Sequence, residues 1–229
     1  MCFSPDADAV VGGIVVVIGV DALRHVREPK QILLASLPLL FGLHQLDEAL
    51  VWLGLQGRIS EPIQRVATWT YLLFALAALP ALVPVAVLAI ERSSARRRVI
   101  AVFSALGIGV GVALGVSMFR GSVNAAIDGR HIAYDVSALH QGGQVTALYV
   151  LAACGALVLC SYRDIAALGL LNLVAVPVLM SLTVSGFISL WCFWAAIVSV
   201  VIDYHLRRRA NTLPRHVQRS HAPDVSNVT

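Results

Sequence analysis

Residues 39–53, LLFGLHQLDEALVWL, decide how the rest of this chain is read. The stretch is aliphatic enough to be half of a membrane-spanning helix, yet it carries His44, Gln45, Asp47 and Glu48. At 3.6 residues per turn, His44, Gln45, Glu48 and Trp52 fall within about 100° of arc, with Asp47 about 60° from His44 on the other flank. Leu43, Leu46, Leu50 and Leu53 form the remaining, aliphatic side. A charged side chain at mid-span costs roughly 2.5–3.5 kcal/mol on insertion scales. The polar stripe is therefore expected to face the interior of a helix bundle or a wet cavity.

The surrounding sequence has the same character. Of 229 residues, 58% are hydrophobic and 13% charged, with a mean hydropathy of +0.80. Soluble domains are about a quarter charged. A span needs about 20 apolar residues, and seven apolar runs can be marked, at 8–24, 32–55, 67–90, 99–119, 144–161, 165–183 and 185–203. The third contains Pro80 and Pro84, which a spanning helix tolerates when neighbours satisfy the freed carbonyls. The fourth carries Gly107, Gly111 and Gly115, a small-residue stripe suited to close helix approach and, in an oligomer, to a second chain.

The positive charges order these runs. Thirteen Lys and Arg residues fall on one side of a seven-span arrangement and four, Arg58, Arg65, Arg120 and Arg130, on the other. The positive-inside bias puts the amino terminus outside and the carboxyl tail in the cytoplasm. The expected fold is thus an all-α seven-helix bundle over residues 1–206 in the cytoplasmic membrane, with the lipid bilayer as its main partner. A basic tail follows over 207–229, disordered from about Asn211. The net charge of +4 does not suggest nucleic acid, because the basic residues lie between the apolar runs and after the last one.

The candidate site lies on the outer side. With this topology His44, Gln45, Glu48 and Trp52 share the outer level with Trp191 and Cys192 of the seventh run. Cys2 and the loop DGRHIAYDVSALHQGG (128–143), which holds His131 and His140, lie there too. Gln45, Glu48, Trp52, His44 and Trp191 are candidate ligand-binding residues. Cys2, His44, His131 and Cys192 are candidate ligands for a transition metal, with Glu48 as candidate general base. Three readings stay open: a pocket binding a small ligand or metal, a metal-dependent enzyme acting on a lipid or extracytoplasmic substrate, and polar packing between helices. No HExxH, P-loop or nucleophile elbow is present. Retinal is excluded because the only lysine, Lys30, sits in a loop. A membrane haem is disfavoured because His44 alone is clearly within a span. Cys154 and Cys160 read as small apolar packing residues, and the cysteines form no disulfide framework. The opening MCFSPDAD has no basic region, so no signal-peptide cleavage is expected.

MCFS (1–4), PLLFGLHQLDEALVWL (38–53) and LWCFWAAIVSVVI (190–202) resemble an uncharacterised family of bacterial integral membrane proteins whose members begin Met-Cys-Phe-Ser. The resemblance implies a multi-helix inner-membrane protein without an assigned activity. Its pattern maps onto Cys2, Phe3 and Ser4, then Gln45, Glu48 and Trp52, then Trp191 and Cys192. The chain departs from it at PDAD (5–8) and at Ala49, where a glycine is expected. Loss of Met1 would present the Cys2 thiol beside an amine. The alternative is that the tetrapeptide caps the first helix through Ser4 or Asp6.

Overall fold

The computed structural model describes residues 4–129, 131–136, 143–179 and 194–211 in full, and the backbone of 180–182, 187–193 and 212. Most of these residues are helical. Helix α1 spans Pro5–Arg24, and a 3-10 turn at Pro29–Gln31 leads into α2, Ile32–Leu55. Next comes one continuous rod made of α3 (Glu61–Leu72), a π-helical segment (Leu73–Ala78) and α4 (Leu79–Ile90). Then follow α5 (Ser94–Arg120), a β-hairpin, α6 (Gly143–Val158), α7 (Arg163–Leu182) and α8 (Phe187–Thr212). Each expected apolar run coincides with a helix apart from a few residues at its ends. Among the described residues, two helices are long and apolar enough to cross a membrane, Glu61–Ile90 with 30 residues and Ser94–Arg120 with 27.

Local chemistry accounts for the helix ends. The Ser4 hydroxyl accepts a hydrogen bond from the Ala7 N–H, with Pro5 at the first helical position, so the capping reading of the opening residues holds for Ser4. Ser93 caps α5 in the same way through the Arg96 N–H. The π segment ends just before Pro80, whose ring nitrogen cannot donate to the helix ladder. The Ala75 carbonyl oxygen, five residues before Pro80, instead accepts a hydrogen bond of 2.8 Å from the Tyr149 hydroxyl on α6.

The glycine stripe on α5 is used within the chain. A Cβ on Gly107 would overlap the Pro80 carbonyl oxygen, and one on Gly111 would overlap that of Ala77. This face of α5 therefore takes the backbone of the π segment and α4 at close range.

Two features depart from the expected all-α bundle. The stretch read as the longest loop contains two antiparallel strands, β1 (Val123–Asp128) and β2 (His131–Val136), paired from Val123 with Val136 to Asp128 with His131. The physical reason is local. HIAYDV is a strand-forming run, VNAAID pairs along it, and Gly129 at the turn between them supplies a left-handed φ of +59°. Ile132 and Val136 are buried on one face of β2. The second difference is that α8 continues past residue 206 to Thr212. Its extra turn is pinned by ion pairs of Arg207 with Asp203 and Asp21 and by Arg209 lying 4.4 Å from the Tyr162 ring centre. The rest of the basic tail lies outside the described residues.

At the end of the bundle away from the hairpin, Glu91 holds two inter-helix turns together. Its carboxylate accepts from the Ser93 N–H at 2.7 Å, the Ser161 N–H at 2.7 Å and the Ser161 hydroxyl. The Arg96 guanidinium donates to the carbonyl oxygens of Cys160 and Leu159 beside it.

Candidate functional site

Helix α2 turns its polar stripe inward. Glu48 is 0% and Gln45 2% exposed, and His44 and Trp52 are also buried. Leu43 and Leu50, on the opposite side, are exposed. The stripe meets α3 and the hairpin through stacked rings. His44 lies flat on Tyr71, with centres 4.1 Å apart and planes 8° from parallel. Tyr71 in turn stacks on Tyr134 of β2 at 4.9 Å, and the ring of Phe74 in the π segment lies 4.7 Å from His44 with its plane tilted by 45°. Trp52 and Val51, one turn further along α2, pack with Ala67 and Ile132. The hairpin thus covers the end of the stripe.

A second buried carboxylate stands on α1. The two helices run antiparallel and in close contact. A Cβ on Gly12 would meet Leu46 at 3.0 Å and the Gly42 carbonyl oxygen at 3.1 Å, while Gly19 lies against Leu39. Asp8, one turn before Gly12, is therefore level with the Leu46–Leu50 turn of α2, and it is as buried as Glu48. Carboxylates withdrawn from water need opposite charge, donors or a proton. Close by in sequence, the Trp52 Nε1–H is buried without an acceptor among the described residues. An orphaned buried donor of this kind calls for a further partner such as a water or a ligand.

Of the other sequence candidates, His131 has its side chain among the described residues. His131 lies on the face of β2 opposite Tyr134, with its Nε2 3.6 Å from the Asp128 carboxylate. Trp191 and Cys192 lie on α8, but their side chains, like Cys2 and His140, are outside the described residues. Asp8, Tyr71 and Tyr134 were not anticipated from sequence. For Asp8 a signal existed: Pro5, Asp8, Gly12, Val15, Gly19 and Ala22, all buried, form a single stripe of spacing three and four along α1. The tyrosines had none, because only folding brings α3 and β2 to His44.

A separate apolar cavity of about 60 Å³ lies one turn from the stripe toward the basic end. Phe41, Leu37, Val83, Tyr149, Asn172 and Trp194 are among its lining residues. Its polar groups are engaged: the Trp194 Nε1–H donates to Asn172 Oδ1 and the Tyr149 hydroxyl to Ala75.

A mostly helical chain with a buried polar stripe under a hairpin at one end and a cluster of arginines at the other is the class that these features define. The model of a family of unknown function, DUF6629, matches residues 1–218, and the chain belongs to that family. No curated protein and no solved structure matches it.

Proposed function

We propose that this chain is a seven-span protein of the cytoplasmic membrane, with the hairpin outside and the basic end inside, which holds a small ligand or metal ion at Glu48 and Asp8. One observation carries the reading: the distribution of polarity is inverted. Phe119, Val17 and Val102 are 71%, 69% and 67% exposed, on α5 and α1, while Asp8, Gln45 and Glu48 are sealed inside. In water such a surface is unfavourable by about 25 cal/mol for each Å² of apolar area left wet. In a bilayer it is the stable arrangement. The positive-inside bias of the arginines supports the orientation.

Lys30 offers a direct test, since it is the only lysine. An amine reagent that cannot cross membranes should leave Lys30 unmodified in intact cells and modify it in inverted vesicles. Modification in intact cells would overturn the orientation.

The ligand-binding reading draws its support from the two buried carboxylates, the aromatic stack beside them and the partnerless Trp52 donor. The alternative is the metal-dependent enzyme, with Cys2, His44, His131 and Cys192 as ligand candidates and Glu48 as general base. Thermal unfolding and metal analysis of the purified protein separate these from simple helix packing. For a ligand or metal site, Glu48→Gln should keep the fold and reduce the rise in melting temperature caused by added cations. Glu48→Leu should fail to assemble. About one metal per chain, lost in His44→Ala, would favour the enzyme. Cation shifts that are equal in wild type and Glu48→Gln would leave the stripe a packing device.

A further inference from the structure

Asp21 and His25, one turn apart at the end of α1, meet Asp203 of α8 at the basic end of the bundle. One ligand atom from each lies within 4.8 Å of the others. Oxygen and nitrogen ligands held at about 2.0–2.2 Å by one divalent ion stand no more than about 4.4 Å apart, so a small inward movement would complete the set. The ligand types also suit one ion, since two carboxylates and an imidazole serve manganese, iron or zinc with positions left for water.

A second observation points to an unfilled role. Asp203 is 8% exposed, and its Oδ1 is buried with no hydrogen-bond partner. Its Oδ2 receives the Arg207 Nε–H at 2.8 Å, and another nitrogen of the same guanidinium lies 2.8 Å from Asp21. The His25 Nδ1 is 2.8 Å from the Asp21 carbonyl oxygen and 3.1 Å from Asp21 Oδ2, so this nitrogen faces the cluster. Arg207 thus supplies one positive charge to two carboxylates while its side chain stays 53% exposed, with a clear path to solvent. A divalent ion in its place would neutralise both.

We propose that Asp21, His25 and Asp203 form a divalent-cation site linking α1 to α8, and that Arg207 covers it when no ion is bound. The site is independent of the one at the hairpin end and lies where the basic tail leaves the bundle. An ion there would exchange one helix-to-helix tie for another and free Arg207.

The test is a manganese titration of the purified full-length protein in detergent, followed by electron paramagnetic resonance, with size-exclusion elution as the check of folding. Wild type should take up about one Mn²⁺ per chain, with zinc competing for it. Asp203→Asn and His25→Ala should each weaken binding tenfold or more. Arg207→Gln should bind Mn²⁺ more tightly than wild type, because the competing cation is gone, and a purely structural ion pair would not produce that gain. Absence of Mn²⁺ binding at millimolar concentration in both wild type and Arg207→Gln would overturn the proposal. So would undiminished binding by a folded Asp203→Asn protein.

Discussion

Gly107→Ala should lower the unfolding free energy of the purified protein by about 1–3 kcal/mol, the range for overpacking a close-fitted interior. The added methyl would overlap the Pro80 carbonyl oxygen and press on the Pro84 ring, and neither is a flexible side-chain tip that can move aside. Either α5 withdraws from α4 along its length, or the proline-containing turn deforms. Gly109 supplies the control, because a Cβ there meets nothing within 4 Å. At that position alanine should be neutral or stabilising by up to about 1 kcal/mol, through helix propensity alone. Thermal unfolding in a single detergent reads both. Equal effects at the two positions would mean that the α4–α5 contact is looser than described.

The second large effect is expected at Glu91. Glu91→Ala removes the acceptor for the Ser93 and Ser161 N–H groups and the Ser161 hydroxyl, and leaves donors unpaired at a nearly buried point. Hydrogen bonds to a charged group are worth about 1.5–3 kcal/mol, so a loss of about 3 kcal/mol is expected, with α6 and α7 loosened from the α4–α5 turn. Acid should act on the same group. Burial pushes the Glu91 carboxyl up, but the bonds from the Ser161 hydroxyl and the N–H groups of Ser93, Ser161 and Arg92 outweigh it and hold it below its ordinary 4.5. A carboxyl depressed in the folded state contributes stability that is fully present above its unfolded value and is lost as pH falls through the folded one. The melting temperature of wild type should therefore drop below about pH 4.5, and Glu91→Gln should remove this part of the drop. An unchanged acid profile in Glu91→Gln would mean that the carboxylate holds these turns without its charge.

Much of this architecture is written in twenty-residue periods of apolar side chains. Hydrophobicity on that scale is a local property, so the helices and the inward stripe on α2 could be read directly. The hairpin was harder. Two six-residue strands between long apolar runs look like a connecting loop, although Asp128-Gly129 between alternating residues is a recognised hairpin sign. Asp8 has the look of an ordinary first-turn acid, and its burial follows from its place on the stripe of Gly12 and Gly19. Long-range pairings carried no local mark at all. Neither Tyr71 under His44 nor Asp203 beside Asp21 is visible until the chain closes on itself, since contacts between distant segments follow from the sum of packing choices.

The π segment fixes the clocking of its rod. Each residue turns a helix by about 100°, and Leu73–Ala78 sits between a half that presents Tyr71 to His44 and a half that presents Pro80 to Gly107. Shortening LFALAA by one residue would leave each half intact but swing one of them a quarter-turn out of phase. Phe74 is held by its contacts with His44 and Phe41 and Ala77 by the close approach of α5, so the segment is constrained in length and in the size of the residues at these two places.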